Sequence, residues 1–424
     1  MIALVVLLMV VLLAIGVPVA IAMGAAPVIA LWQRGMPLVT IPQNAFEVLD
    51  SFALLAVIYF VLAGKLMQAS GIARRLIDLA VALVGWMRGG LGSATVLTAM
   101  MFSTMSGSSA ATAAAIGGVI GPEMKKQKYP PPFTASVVAS SAELGVIIPP
   151  SVPMIIYGVM TGVSISDLFL AGILPGLLIG CSLILLVLAF SVVKGYGERT
   201  SYSFGIWARN VATAVREAWL ALLSPIIILG GIYGGYFTPT EAAVVAVVYT
   251  LFLGLFVYRE LELSALPRLF YEAAYTTAVV MIIIAFASVL AYVLILYRIP
   301  VTISGFVVGL TDDPLVFLLV VNILLLIVGT FLEGVPAIII VTPILAPLAA
   351  AFEIDPVHFG VIVIANLALG MVTPPVGINL FIACTTFNVK MEALMRPLSW
   401  FLLVLIIDML IISYVPWLST VFLG

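Results

Sequence analysis

Charged residues are scarce in this sequence. Only 8% of its 424 residues are charged, whereas 64% are hydrophobic, and the mean hydropathy is +1.31. Soluble domains do not have this composition, and apolar runs long enough to cross a bilayer recur along the chain. The sequence therefore predicts an all-α polytopic membrane protein. The small formal net charge of −2 argues against a nucleic acid partner.

Cysteine and histidine are also nearly absent. The two cysteines, Cys181 and Cys384, lie in apolar helical segments, where thiols usually act as small core residues. His358 is the only histidine, which disfavours a zinc or haem site. An intramembrane hydrolase would need an activating base, and Ser106 has no histidine near it in the sequence. We expect no enzymatic activity and no organic cofactor.

A basic leader is missing at the N-terminus. Residues 2–31 lack a positively charged start and a small-residue cleavage site, so we expect a retained helix rather than a signal peptide. Segments 72–86 and 299–311 are too short to cross and are expected to lie at the interface. The predicted spans are roughly 2–31, 51–69, 133–163, 167–193, 218–236, 241–258, 271–297, 357–387 and 397–421.

Prolines interrupt the apolar sequence at two related places. Leu144–Pro150 reads LGVIIPP, and Leu369–Pro375 reads LGMVTPP; with the same offset Pro131 aligns with Pro356. A double proline removes two helix donors and clashes with the preceding turn. Within a bilayer such a break persists only where it lines a polar cavity. Paired breaks in two halves of a chain indicate the binding site of a secondary transporter.

Each half also contains a predicted helical hairpin. Residues 93–128 turn at Ser106–Ser109, and their two limbs are shorter than the ~30 Å hydrocarbon core, which favours a re-entrant hairpin. Residues 315–352 turn at Glu333–Pro336, with longer limbs, so this second hairpin is inferred mainly by analogy. Small polar residues also line ordinary contacts between membrane helices, so packing is an alternative role for any single serine.

Charge distribution predicts opposite orientations for the two hairpins. Basic residues are concentrated around the first hairpin and in the connector 194–217, which the positive-inside rule places in the cytoplasm. Counting spans onward puts the acidic residues near the second hairpin outside, which predicts an inverted repeat. The basic residues predicted on the cytoplasmic side are Arg74, Arg75, Arg88, Lys125, Lys126, Lys128, Lys194, Arg199, Arg209 and Arg216. The acidic residues predicted on the outside are Asp312, Asp313, Glu353 and Asp355.

Interrupted helices present chemistry suited to ions. Carbonyls at the C-terminal ends can hold Na⁺, and amides at N-terminal ends can hold an anion. Intramembrane carboxyls are functional candidates: Glu143 and Glu333 can ligate a cation, relay a proton or pair with a neighbour such as Lys65, whereas Asp408 is interpreted as structural. The side chains able to hydrogen-bond a carboxylate are Ser108, Ser109, Thr112, Asn366, Thr373 and Asn379.

Four segments resemble one known family. Phe102–Thr112, Gly145–Ser151, Gly329–Glu333 and Thr373–Asn379 are similar to the large membrane subunit of tripartite ATP-independent periplasmic (TRAP) transporters, the DctM-like family. The resemblance covers essentially the whole chain. It implies an elevator-type, Na⁺-driven importer of organic acids, such as a C4-dicarboxylate or sialic acid, in the bacterial inner membrane, with a fold like that of the ion transporter superfamily.

The resemblance also implies domains and partners. Residues 1–71 and 197–298 would form a scaffold, 72–90 and 299–313 interfacial arm helices, and 91–196 and 314–424 a transport domain with helix breaks at 145–153 and 370–378. The partners would be a small four-helix membrane subunit (DctQ-like) as a separate chain, and a periplasmic substrate-binding protein (DctP-like).

Two Na⁺ sites follow from the resemblance. By motif position, one lies on Ser103, Ser106, Gly145, Ile148 and Pro150. The second, placed by the repeat, involves Thr330, Gly334, Gly370, Thr373 and Pro375.

Two other functions remain open at this point. One is a stand-alone Na⁺/dicarboxylate symporter of the divalent-anion type, although the Ser-Asn-Thr sequence of its hairpin tips is missing here. The other is a channel, for which re-entrant segments are also suited.

Overall fold

The structure is a computed structural model of the chain. It describes residues 8–423 except 10, 13–14, 198–202, 300–301, 303–304, 306–310 and 312. Most of the described residues form helices joined by loops and turns. Among them, eight helices are long and apolar enough to cross a membrane, or nine with a pair bent by 59°. This confirms the predicted all-helical membrane architecture.

Between Val19 and Lys194, where every residue is described, the chain forms ten helices. They are α1 (Val19–Gln33), α2 (Thr40–Leu49), α3 (Leu54–Ala69), α4 (Ile72–Val84), α5 (Gly90–Ser106), α6 (Ser109–Lys126), α7 (Pro131–Ala142), α8 (Leu144–Ile147), α9 (Val152–Thr161) and α10 (Ile165–Lys194).

The rest of the chain adds nine described helices, with a π turn at Leu253–Val257 and a 3₁₀ turn at Leu263–Ala265. They are α11 (Phe204–Tyr233), α12 (Pro239–Phe252), α13 (Leu266–Leu296), α14 (Pro314–Phe331), α15 (Gly334–Ala351), α16 (Pro356–Gly370), α17 (Ile378–Phe387), α18 (Met391–Tyr414) and α19 (Trp417–Thr420).

Helices α5 and α6 form a tight hairpin. The chain turns at Gly107, whose φ of +59° lies in the left-handed region that glycine adopts without a Cβ penalty. Ser108 then takes an extended conformation and caps α6, because its hydroxyl accepts a hydrogen bond from the Ala111 amide at 3.4 Å. The limbs have 17 and 18 residues and pack against each other.

Helices α14 and α15 are connected differently. Leu332 and Glu333 are both extended, so the turn is wider than the glycine turn of the first hairpin. Each limb has 18 residues and is apolar enough to span a bilayer. The limbs barely contact one another: α14 packs mainly on α16, and α15 on α9. The two hairpins are therefore not identical in packing.

Both double prolines lie in gaps between helices. The helical segment that begins at Pro131 is interrupted from Ile148 to Ser151, and the chain is helical again from Val152. In the second half, α16 ends at Gly370 and α17 begins at Ile378. The Pro149–Pro150 and Pro374–Pro375 peptide bonds are cis. The gaps lie inside the predicted ranges 145–153 and 370–378.

Several predicted boundaries were wrong. Helix α2, which carries polar residues such as Gln43 and Asn44, was not predicted. The predicted connector 194–217 is half helical, because α11 begins at Phe204. The last predicted span ends at Tyr414, since Pro416 lacks the N–H needed to continue the helix. Most of the predicted interfacial segment 299–311 lies outside the described residues, as does much of 2–18.

Two groups of helices meet across the middle of the molecule. One is centred on α3, α12 and α13, which pack together with α1, and is called the α3–α13 group. The other contains both hairpins and both interrupted helices. Contacts between the groups run from α3 to α5 and α9, and from α13 to α15. The cavity described below lies along this boundary.

Candidate functional site

A cavity of about 390 Å³ lies where the two groups meet. One wall consists of both hairpin turns, 106–111 and 333–335, with the start of α9 and Met371 from the second interruption. The other wall is formed by α3 and α13. The cavity therefore brings together hairpin tips from the two halves of the sequence, far apart along the chain.

The first hairpin tip is held by a chain of hydroxyl contacts. The Ser106 and Thr112 hydroxyl oxygens lie 2.9 Å apart, and the Thr112 hydroxyl donates to the Ser108 carbonyl at 2.8 Å. These bonds cross the glycine turn and fix its shape. Thr112 is completely buried beneath the tip, so its predicted contact with a substrate would require the tip to rearrange.

The first tip packs directly on the first helix interruption. A Cβ on Gly107 would stand 3.3 Å from the Pro150 carbonyl oxygen, and one on Gly145 would stand 2.7 Å from the Ser108 carbonyl oxygen. Only glycine at both positions allows the two backbones to approach this closely. The structure thus brings Ser106, Gly145 and Pro150, predicted to share a Na⁺ site, into one neighbourhood.

The second tip meets the second interruption in the same way. A Cβ on Gly370 would lie 2.5 Å from the Cα of Gly329, so the two backbones touch. The Gly377 amide donates to the Thr330 carbonyl at 3.3 Å. The Thr330 hydroxyl donates to the Leu326 carbonyl of its own helix, and the Thr373 hydroxyl, in the interruption, donates to the Leu369 carbonyl near the end of α16, at 2.7 Å each.

Backbone carbonyls at both interruptions suit an alkali cation. Among the described residues, no N–H donates to the carbonyl oxygens of Ile148, Pro150, Thr373 or Pro375. Hard cations prefer such oxygen ligands. Ile148 and Pro150 are buried, whereas Thr373 is partly buried and Pro375 is exposed. Ser103 instead donates to the Ala99 carbonyl at 2.5 Å. The described residues contain no group of three or more His, Cys, Asp or Glu side chains suited to a metal ion.

Three helix N-termini reach the cavity. Its lining includes the first residues of α6 (Ser109 and Ala110), of α9 (Val152 and Pro153) and of α15 (Gly334). An N-terminus carries about half a positive charge and amides without helical partners. Their convergence favours an anion in the cavity.

Two charged side chains line the same cavity, Lys65 on α3 and Glu333 at the second tip. The ammonium of Lys65 forms an ion pair with Glu272 of α13, 3.5 Å away. Pairing of Lys65 with Glu143 or with Glu333, one of the predicted alternatives, is not found among the described residues.

The fold separates the side chains that were predicted to hydrogen-bond a carboxylate. Ser108 and Ser109 line the cavity. Asn366 does not: it is buried in α16, where its amide donates to the Asn322 side chain at 2.9 Å. Asn379 is also fully buried, and within the described residues neither atom of its amide has a hydrogen-bond partner.

The remaining acidic residues lie away from the cavity wall. Glu143 is buried at the end of α7, and its Oε1 has no hydrogen-bond partner among the described residues. Asp408 accepts a hydrogen bond from the Ser182 hydroxyl, which agrees with a structural role.

Sequence reasoning did not assign the α3–α13 wall to the site. Lys65 is the only charged residue of α3, and an ionisable side chain inside an apolar helix is a signal for function. The residues Val61, Gly64, Lys65 and Gln68 follow the spacing of one helix face, which also indicates a shared surface.

An all-helical membrane chain whose interrupted helices and hairpin tips border a shared cavity has the architecture of a secondary transporter. Residues 6–418 match the family model of the tripartite ATP-independent periplasmic transporter, DctM component. The chain belongs to this family of TRAP transporter large permeases. It is therefore a multi-pass transporter permease of a bacterial family and not an enzyme.

Individual relatives support the same family assignment. The C4-dicarboxylate TRAP transporter large permease DctM of Pseudomonas aeruginosa is 43% identical over 374 residues, 88% of this chain and 87% of that protein. The sialic acid large permease SiaM of Vibrio cholerae is 39% identical over the same shares. The isethionate permease DctMQ of Oleidesulfovibrio alaskensis is 42% identical over 97% of this chain, which covers 65% of that relative.

A solved structure shares the fold. The Alcanivorax borkumensis YdaH transporter matches with a TM-score of 0.53 at 16% identity, over 88% of this chain and 86% of that one.

Proposed function

We propose that this chain is the translocating subunit of a Na⁺-coupled importer of small organic acids. The convergence of three helix N-termini on one cavity supports this function most directly, because it offers an anion amides and partial positive charge. The oxygen ligands for Na⁺ would come from Ser106 of the first hairpin tip with Ile148 and Pro150 of the first interruption, and from Thr373 and Pro375 of the second interruption.

Coupling follows from this arrangement. Each proposed Na⁺ site is formed where a hairpin tip touches an interrupted helix, and the same tips line the cavity. A cation that draws tip and interruption together would organise the amides that receive the acid. Because linkage is reciprocal, the acid would in turn raise the affinity for Na⁺.

We propose an elevator movement for transport. The group with both hairpins would be the transport domain (91–196 and 314–424), and the α3–α13 group would belong to the scaffold (1–71 and 197–298). Helix α4 would lie at the interface as an arm, together with 299–313. The proposal includes the inverted orientation of the two hairpins, with the basic residues around the first hairpin on the cytoplasmic side.

Two partners complete the proposed system. The family is tripartite, and one relative is called DctMQ, so we expect a small DctQ-like membrane subunit and a DctP-like binding protein that delivers the acid. The relatives' names mention C4-dicarboxylate, sialic acid and isethionate, all organic acids. Succinate, sialic acid and isethionate are therefore the first substrates to examine.

Uptake into proteoliposomes tests the proposal. With both partners present and an inward Na⁺ gradient, at least one of these acids should accumulate, and collapse of the gradient should stop accumulation. Uptake without the binding protein would favour the stand-alone symporter, and unsaturable flux would favour a channel. Absence of Na⁺-dependent uptake of any organic acid would refute the proposed function.

A further inference from the structure

Among the described residues that line the cavity, Lys65 is the only cationic side chain. It projects from α3, on the face formed by Val61, Gly64, Lys65 and Gln68, and this face touches the first hairpin tip. A Cβ on Gly64 would stand 3.3 Å from the carbonyl oxygen of Ser106, so α3 and the tip are in direct contact. Lys65 therefore lies on the cavity wall that faces the hairpin tip, and the cavity it lines is the one reached by the helix N-termini that we assign to the organic acid.

The ion pair of Lys65 leaves donors free. Its nitrogen lies 3.5 Å from Glu272, longer than the roughly 2.7–2.9 Å of a tight charge-assisted bond. An ammonium has three donors, and only this one acceptor pairs with Lys65 in the described part of the chain. Its side chain is 32% exposed, so a ligand in the cavity can reach it.

Glu272 is itself engaged from two sides. Arg268, one turn earlier on α13, bonds to Glu272 Oε1 at 2.8 Å, while Lys65 faces Oε2. The Arg268 side chain is 83% exposed and lies outside the cavity lining. Glu272 can therefore keep one cationic partner when Lys65 turns to a ligand.

We propose that Lys65 binds the acidic group of the substrate from the α3–α13 side. This inference rests on the proposed function above, and adds that the acid bridges the two helix groups in the state seen here. The hairpin side would supply backbone amides and the Ser108 and Ser109 hydroxyls, and Lys65 would supply the full positive charge. Movement of one group past the other would then require release of this contact.

A purely structural ion pair is the competing explanation, and charge replacement separates the two. In a background with Cys181→Ala and Cys384→Ala, Lys65→Cys should reduce acid uptake at least 10-fold, as loss of a hydrogen bond to a charged group commonly does. Modification with aminoethyl methanethiosulfonate restores a cation and should restore uptake. The sulfonatoethyl reagent adds an anion and should not.

Thermal unfolding of the purified protein measures ligand binding without requiring transport. Na⁺ alone should stabilise wild type and Lys65→Gln alike, because removal of a cation cannot weaken cation binding through charge. Addition of succinate, sialic acid or isethionate should raise the midpoint further in wild type and not in Lys65→Gln. Lys65→Arg should keep the acid-dependent rise, and the control Lys126→Gln, which removes an exposed cation outside the cavity lining, should behave as wild type.

The outcomes are distinguishable. If wild type transports an acid and Lys65→Gln retains the acid-dependent stabilisation and the uptake rate, Lys65 does not bind the substrate, while the proposed function stands. If Lys65→Gln loses stabilisation by Na⁺ as well, the ion pair is structural and the inference is overturned. If wild type neither transports nor responds to any of these acids, the proposed function and this inference both fail.

Discussion

Gly370 and Gly329 touch through their backbones, with the position of a Gly370 Cβ only 2.5 Å from Gly329 Cα. Gly370 ends α16, and Gly329 lies in the last turn of α14, so this contact joins the second hairpin to the second interruption. No side chain fits between them. The proposed second Na⁺ site depends on this approach.

We predict that Gly370→Ala reduces Na⁺-dependent uptake by more than 10-fold. The added methyl group forces α14 and α16 apart, which displaces the carbonyls proposed to hold the ion. Uptake by reconstituted protein is the measurement. Gly118→Ala is the matched control, because a Cβ at this helical glycine meets no atom within 4 Å. Equal uptake by the two variants would show that the Gly370 contact is not needed.

Ser106 offers a direct test of the first cation site. Ser106→Ala removes one proposed oxygen ligand and the contact with Thr112, so we expect the Na⁺ concentration for half-maximal uptake to rise about 10-fold. Uptake is measured against external Na⁺. Ser399→Ala, which removes an exposed hydroxyl bonded to its own helix, should leave the Na⁺ dependence unchanged. An unaltered Na⁺ curve for Ser106→Ala would remove this hydroxyl from the site.

Asn366 is expected to affect stability rather than substrate binding. Its amide donates to Asn322, whose side chain also accepts from the Ser413 hydroxyl at 3.2 Å, all within a buried cluster. Asn366→Leu should destabilise the protein by about 1–3 kcal/mol, since it leaves buried polar groups unpaired. Thermal unfolding measures this. Stability like wild type, combined with a selective loss of the acid-dependent shift, would assign Asn366 to the substrate.

Arg75 anchors α4 to the loop after the π turn. It pairs with Glu260 at 2.7 Å and lies 3.6 Å from the centroid of the Tyr258 ring. Arg75→Ala should lower the free energy of unfolding by about 1 kcal/mol, from the combined loss of the ion pair and the cation–π contact. The exposed pair between Lys126 and Glu123 gives the control, and Lys126→Ala should change stability little. Equal effects would contradict this assignment.

Local chemistry explains which parts of the fold were predictable. The double prolines Pro149–Pro150 and Pro374–Pro375 stop a helix whatever surrounds them, and Gly107 permits the left-handed turn of the first hairpin. Helix α2 was missed because its polar residues resemble a loop in hydropathy, and its position depends on packing against α13, where Ser288 donates to the Asn44 carbonyl.

The cavity was only half predictable, for a different reason. The hairpin side carries motifs, whereas the α3–α13 side becomes part of the site only through long-range packing. No sequence pattern indicates that Lys65 lies opposite the tip that contains Ser106. Asn366 was predicted as a ligand because it lies near the second interruption and can hydrogen-bond a carboxylate, and its buried partner Asn322 could not be recognised without the structure.

The convergence of three helix N-termini on one cavity has a consequence for substrate selectivity. Main-chain N–H groups respond to negative charge but are the same whatever the residue, so they distinguish acids poorly from one another. A permease with this architecture can change its substrate through a few substitutions in the apolar walls of the cavity. Discrimination among acids would then depend mainly on the molecule that delivers the substrate, and this chain would select its substrates mainly by their negative charge.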